Sequence, residues 1–227
     1  MNVLGLDTST AAAAACLLRG DGRAFEISPD PGDLTGRPAQ ARELMPAVAR
    51  VIADAELDFG DLDAVAVGTG PGAFTGLRIG IATARALAAA RGLPLHPVSS
   101  LAALAAGVDA PLALAILDAR RGEVFAALYE HGEERWAPCV ARPEALAERV
   151  RAAGLTPLAA GDGAIRYRRE IEAVGARVPP EGSPRHVVRA LAVCRLATEV
   201  APVAPEGVLP DYLRMPDAVP EPQLPRP

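Results

Sequence analysis

The run Gly68-Thr-Gly-Pro-Gly-Ala-Phe-Thr-Gly-Leu-Arg-Ile-Gly80 constrains this chain more than any other. An apolar stretch, Asp63-Ala-Val-Ala-Val67, precedes it and an alanine-rich pattern ending near Arg91 follows, so the whole reads as strand, glycine turn, helix. Gly68, Gly70 and Gly72 accept backbone angles closed to other residues and Pro71 fixes one turn position, which lets the chain reverse sharply out of a buried strand; Gly76 follows in the same turn region. Between Thr75 and Ala90 the only charged residues are Arg78 and Arg85. Seven positions apart, they lie within about 20° of one another around the axis. A helix on one side of a sheet normally keeps a polar outer face. This one is apolar nearly all round and is expected to carry a second covering element.

The helix divides into two faces. Leu77, Ile81, Ala84 and Ala88 share the face expected on the sheet of their own domain, and Ile79, Ala82, Ala86 and Ala89 form the opposite stripe, with the three-four spacing of small residues on which another helix can approach closely. An earlier amphipathic pattern, Leu44, Val48, Val51 and Ala55, marks a helix whose Met45, Ala49 and Ile52 lie beside its core face. These two stripes are the expected partner interface, an intermolecular helix bundle.

In order, the chain opens with three short β-type runs, Asn2 to Leu6, Ala11 to Leu18 and Ala24 to Ile27, then the first helix, the strand before the glycine turn, the second helix, a strand at Leu93 to Val98 and a short helix at Ser99 to Ala106. Gly107-Val-Asp-Ala-Pro111 breaks the pattern, and a fresh apolar strand, Leu112 to Leu117, closes on Asp118 much as the first closes on Asp7. A second run, Val124 to Tyr129, returns; a helix follows near Pro143 to Ala153, then a strand at Pro157 to Ala160 and a helix at Ile165 to Val174. Pro184 is expected to open a last long helix to about Val200. The repetition implies an internal duplication: residues 1–106 and 107–214 as two α/β units, with 215–227 as a proline-rich tail of extended or disordered character.

Charge and ligand inventory narrow the chemistry. All 23 basic residues are arginine, which removes Schiff-base chemistry and a Walker lysine, and a net charge of −5 gives no overall basic footprint for nucleic acid. Cys16, Cys139 and Cys194 show no metal-type spacing, and His96, His131 and His186 form no metal pair. No nucleophile–base pattern stands out, so no catalytic residue and no metal are expected. With neither a charged leader nor an apolar run of membrane-spanning length, a cytoplasmic protein is expected. Gly68-x-Gly70-x-x-Ala73 has the form of a dinucleotide fingerprint, but Pro71 removes a donor and no acidic residue ends the next strand, where Val98-Ser99-Ser100 stands. Asp7, with Thr8 and Ser9 beside it, and Asp118 admit two readings: carboxylates facing across a cleft to order Mg²⁺ on a nucleotide, with Gly161 and Gly163 as the adenine- or ribose-side loop, or simple caps of two strand turns.

Gly70 to Gly80 closely resembles the hallmark of the bacterial tRNA threonylcarbamoyladenosine biosynthesis protein family TsaB (YeaZ). Leu6-Asp-Thr-Ser9, Leu117-Asp-Ala-Arg-Arg-Gly-Glu123, Gly161-Asp-Gly163 and Pro210-Asp-Tyr-Leu-Arg214 are similar to further motifs of that family. The resemblance implies the duplicated ribonuclease-H-like fold of actin-like ATPases and sugar kinases. It also implies a non-catalytic subunit that pairs with its paralogue TsaD, the bearer of metal and chemistry, and joins the ATPase TsaE. That complex transfers threonylcarbamoyl from its adenylate to an adenosine beside the tRNA anticodon. This chain is then expected to hold no cofactor firmly, at most a weak adenine nucleotide, with ATP and metal on the partner; to form a homodimer when alone; to meet tRNA only through the complex; and to have no membrane partner. Ala73 stands where the family usually has Ser, and Gln40 near where many members have His, so a polar role at either position is in doubt. The competing expectation is a free-standing actin-like or sugar-kinase-type ATPase using Asp7 and Asp118 on Mg-ATP.

Overall fold

The computed structural model describes residues 1–214; the expected proline-rich tail, 215–227, lies outside the described residues. Strands β1 (Val3–Asp7), β2 (Ala14–Leu18) and β3 (Ala24–Ile27) form an antiparallel meander, and after helix α1 (Gln40–Asp54) strand β4 (Ala64–Gly70) returns parallel to β1. Helix α2 (Phe74–Arg91) leads to β5 (Leu95–Ser99), parallel to β4, giving the order β3-β2-β1-β4-β5. Every residue of β1 and β4 is buried, which is why both read as continuous apolar runs. Gly92 ends α2 in a left-handed C-cap, and Ser99 caps α3 (Ser100–Val108), its Oγ accepting from Ala102 N at 3.3 Å.

The second half repeats the plan. Strands β6 (Leu112–Arg120), β7 (Glu123–Glu130) and β8 (Glu133–Ala141) form a meander, α4 (Pro143–Ala152) crosses over, and β9 (Leu158–Ala160) runs parallel to β6 in the order β8-β7-β6-β9. Short helices α5 (Asp162–Arg166) and α6 (Arg168–Glu172) and the later α7 (Ala190–Ala197) complete it. Three antiparallel strands followed by parallel additions, in two copies, is the duplicated ribonuclease-H-like, two-lobe fold. No helix of the described residues is long and apolar enough to cross a membrane.

Helices α1 and α2 cover the outer face of the first sheet, and α4, α5 and α6 the outer face of the second. Between the sheets α3 and α7 share a single core, in which Leu101 and Leu104 of α3 and Val193 and Cys194 of α7 meet Val3 and Ala66 of one sheet and Ala115 and Leu117 of the other. The chain then returns to the first lobe, where Val203 bridges Leu95 and Asp211 N donates to Thr69 O at 2.8 Å. The boundary expected at 106/107 falls inside α3.

Three local expectations change. Strand β8 is absent from the sequence reading because it is an edge strand with no fully buried residue, and Pro138 sits in the irregular register between Ala126↔Cys139 and Leu128↔Trp136, where alternation fails. The helix expected at Ile165 to Val174 starts earlier and breaks at Tyr167 into α5 and α6. Pro184 opens only a single 3₁₀ turn, Pro184–His186; the β-branched pair Val187-Val188 continues extended, and α7 begins at Ala190.

The seat of α7 on β1 gives a test of this packing. A Cβ at Gly5 would lie 2.5 Å from Cys194 Sγ and 2.8 Å from Ala190 O. Gly5→Ala is expected to cost about 1–3 kcal/mol through overpacking, seen as a fall of several degrees in the thermal melt; an unchanged melt would mean that α7 is not so closely seated.

Candidate functional site

Asp7 ends β1 in the interior. Its Oδ1 accepts from Ser9 N at 2.8 Å and Ser9 Oγ at 2.6 Å, and its Oδ2 from Ser100 Oγ at 2.8 Å, while Ser100 Oγ accepts from Gly70 N at 3.2 Å. Burial raises the carboxyl above its ordinary range, against the lowering effect of the Ser9 and Ser100 bonds. The next residue, Thr8, donates from Oγ1 to Gly76 O at 2.8 Å. A Cβ at Gly68 would stand 1.9 Å from Asp7 Oδ2, at Gly72 2.5 Å from Ser9 O, at Gly76 2.1 Å from Thr8 O and at Gly80 2.2 Å from Thr8 Oγ1. Four glycines at four-residue intervals thus make a groove that Asp7-Thr8-Ser9 fills. The glycine turn is a packing device, and the loop in it is closed to solvent.

Asp118 lies two residues before the end of β6, which runs on to Arg120 past the expected closure, and it is held differently. Its Oδ1 accepts from Arg120 N at 2.9 Å, and its Oδ2 pairs with Arg120 Nη1 at 3.3 Å and Arg166 Nη1 at 3.2 Å. The expectation that Asp7 and Asp118 share a metal across a cleft does not fit: the first is sealed inside its lobe and the second is ion-paired. Among the described residues no group of three His, Cys, Asp or Glu is placed to hold a metal ion. Gly161 and Gly163 likewise serve close packing: Gly161 has φ +114° and a Cβ there would stand 2.0 Å from Ile116 O, while one at Gly163 would stand 2.8 Å from Ile116 Cγ2.

Two buried polar residues beside these glycines were not singled out as site residues. Asp162 accepts at Oδ1 from Asp118 N at 3.0 Å and Gly163 N at 2.9 Å, and burial pushes its carboxyl up to about 6. His186 accepts at Nδ1 from Gly161 N at 3.1 Å and donates from Nε2 to Pro179 O at 3.1 Å, the neutral tautomer, and burial lowers its pKa. The Gly-Asp-Gly turn was the available signal for Asp162; nothing local marks His186.

A cavity of about 310 Å³ does lie between the lobes, walled by Gly72 to Phe74, by Asp118 to Arg121 with Phe125, and by Asp211 to Arg214. Asp7 is not on its wall. At its rim Phe74 stacks on Tyr212 with centroids 5.0 Å apart, the Arg78 guanidinium lies 3.9 Å above the Phe74 ring, and Arg78 Nε donates to Tyr212 Oη at 3.0 Å. Elsewhere on the surface, Leu77, Ile81, Ala84 and Ala88 of α2 are buried on the sheet. The outer stripe is open: Ala82, Ala86, Ala89 and Ala49 are exposed, Met45 is 49% exposed, and Ile52 and Ile79 are half-buried.

The model of the family described as TsaD: tRNA N6-adenosine threonylcarbamoyltransferase matches residues 38–160. The Bacillus subtilis tRNA threonylcarbamoyladenosine biosynthesis protein TsaB is 30% identical over 230 residues, covering 96% of each chain. The chain belongs to the TsaB (YeaZ) family. The Escherichia coli TsaB is 36% identical over 66% of each chain, and YeaZ from Pseudomonas aeruginosa superposes with a TM-score of 0.74 at 32% identity, covering 92% of this chain and 100% of that one. The match to one longer relative, an uncharacterised protein of Mycobacterium leprae, is 42% identical over 62% of this chain and spans 39% of that protein.

Both departures from the family pattern fall on the filled groove. Gln40 is buried and donates from Nε2 to Thr10 O, and at Ala73 it is the backbone N that bonds, to Ser9 O at 2.7 Å. Each therefore supports the β1–β2 loop, one through its amide side chain and the other through its main chain.

The raised Asp162 pKa makes a pH-dependent prediction. Between its unfolded value near 3.8 and about 6 the native state binds the extra proton, so this residue's contribution to stability falls as pH rises through that window. Asp162→Asn keeps an oxygen for both N–H donors and removes the buried charge. At pH 7.5 the variant is expected to be about 1–3 kcal/mol more stable in urea, the gain vanishing toward pH 4. A loss of stability at pH 7.5 would show that Arg120 and the two N–H donors outweigh the burial of the charge.

Proposed function

We propose that this chain takes part in tRNA threonylcarbamoyladenosine biosynthesis as a non-catalytic subunit that pairs with TsaD through the outer faces of α1 and α2. The observation that carries this reading is the open stripe Met45, Ala49, Ala82, Ala86 and Ala89, an apolar helical surface that none of the described residues covers. Small side chains permit a close helix–helix approach, and a two-helix face offers half of a four-helix bundle. The same face would serve a homodimer when the chain is alone.

The sealed Asp7 loop supports the non-catalytic part of the reading. A phosphate-binding turn must present free donors or a metal carboxylate to its ligand, whereas here the donors and the carboxylate satisfy one another. Metal, ATP and acyl transfer then belong to TsaD, with TsaE as the associated ATPase, and the chain would work in the cytoplasm where tRNA is modified.

Two measurements check this. Ala82→Glu and Ala86→Glu should fold as the parent does, within about 0.5 kcal/mol, because both sites are exposed. In a packed seam the buried carboxylate should weaken TsaD binding, read by calorimetry, a hundredfold or more; unchanged affinity in both would remove α2 from the interface. The lone chain should also turn over ATP only at background rate, and turnover abolished by Asp118→Asn would favour the kinase-type alternative.

A further inference from the structure

We propose that the rim of the inter-lobe cleft is an RNA-contact surface, on which an unstacked base lies against the Phe74–Tyr212 pair and the neighbouring phosphate meets Arg120 and Arg166. The net charge of −5 gives no overall basic footprint, and the family resemblance implies that tRNA is met only through the complex; the local distribution of charge points the other way. Arg78, Arg120, Arg121, Arg166 and Arg214 gather about the cavity, against the carboxylates of Asp118, Asp211 and Glu123.

Each cation there is a guanidinium, whose planar fork both stacks on rings and grips phosphate oxygens. Arg120 and Arg166 converge on the single Oδ2 of Asp118 while their own side chains are 58% and 53% exposed, so both present outward donors that a phosphate can take. Arg120 and Arg121 hold consecutive left-handed φ angles, +63° and +54°, a backbone cost met at the cleft. Phe74 is 37% exposed, and with Tyr212 and Arg78 it forms a ladder of planar groups, the kind of platform on which bases of a single strand stack. The cavity, at about 310 Å³, is at the lower end for a small-molecule site and has room for a base. That the RNA is a tRNA rests on the function proposed above; the surface itself does not.

The test uses the full chain without a partner, so its outcome is independent of pairing with TsaD. Fluorescence anisotropy would follow a labelled RNA stem-loop with an unpaired loop, with a blunt duplex of the same stem as comparison, over a range of salt. The stem-loop should bind more tightly than the duplex. Tyr212→Leu should weaken it about tenfold with an unchanged salt slope, whereas Arg120→Gln should reduce the slope by about 0.7, one phosphate contact on a single strand. Circular dichroism on the same samples would confirm folding. Absence of binding at low salt, equal binding of the duplex, or indifference to both substitutions would overturn the proposal. Titration with ATP is the remaining arm: ATP binding lost in the same variants, with RNA binding retained, would assign the cleft to a free nucleotide instead.

Discussion

The fold depends on the contact between the Asp7-Thr8-Ser9 loop and the glycine face of Gly68, Gly72, Gly76 and Gly80. Any side chain at these positions would overlap the loop, with a Cβ at 2.6 Å or less from a loop atom at each. The approach fixes α2 against the end of β1, and the backbone and hydroxyl bonds of Thr8, Ser9 and Ser100 satisfy polar groups that water cannot reach. An interior carboxylate is costly unless bonded, so Asp7 and its donors form a unit. The loop that could have served a ligand is used instead to join β1, α2 and α3.

Closing that loop has a counterpart in the middle layer. Helices α3 and α7 contribute to one core with both sheets, and the last described stretch returns to the first lobe while Arg214 reaches back to Glu123 at 3.1 Å and Ala119 O at 3.3 Å. A lobe-opening motion of the kind that admits nucleotides would have to expose part of that shared apolar core, at about 25 cal/mol per Å². Rigid lobes suit a subunit whose proposed task is to present a surface, and the exposed face of α1 and α2 lies on the outer layer, where docking would leave that core intact.

Much of this was legible in the sequence because it followed from period and punctuation. The meander at the start, the strand–turn–helix at Gly68 to Gly80 and the buried face Leu77, Ile81, Ala84 and Ala88 all rest on local patterns that packing did not override. The glycine spacing was visible too, but its partner was not: that Thr8 and Ser9 fill the groove is a contact across more than sixty residues. For the same reason the two strand-end aspartates looked alike. Asp7 meets the hydroxyls of Ser9 and Ser100, and Asp118 meets the guanidinium groups of Arg120 and Arg166; Ser9 and Arg120 are near in sequence, but Ser100 and Arg166, which complete the two environments, are not. Strand β8 and the extended Val187-Val188 stretch were lost where an edge strand lacks alternation and where a Ser-Pro pair mimics a helix start.

Helix α2 carries both candidate surfaces. Its first two turns hold Phe74 and Arg78 at the cleft, and its later turns hold Ala82, Ala86 and Ala89 on the open stripe, while Gly76 and Gly80 between them are pinned to Thr8. A continuous helix is stiff along its axis, and close backbone contact at Gly76 and Gly80 leaves little freedom to slide or roll. A partner seated on the alanine stripe would therefore fix the position of the aromatic–arginine rim without any rearrangement of this chain. The two surfaces are held in one rigid frame, so under the proposed function the chain could set where an RNA strand lies relative to its partner through geometry alone.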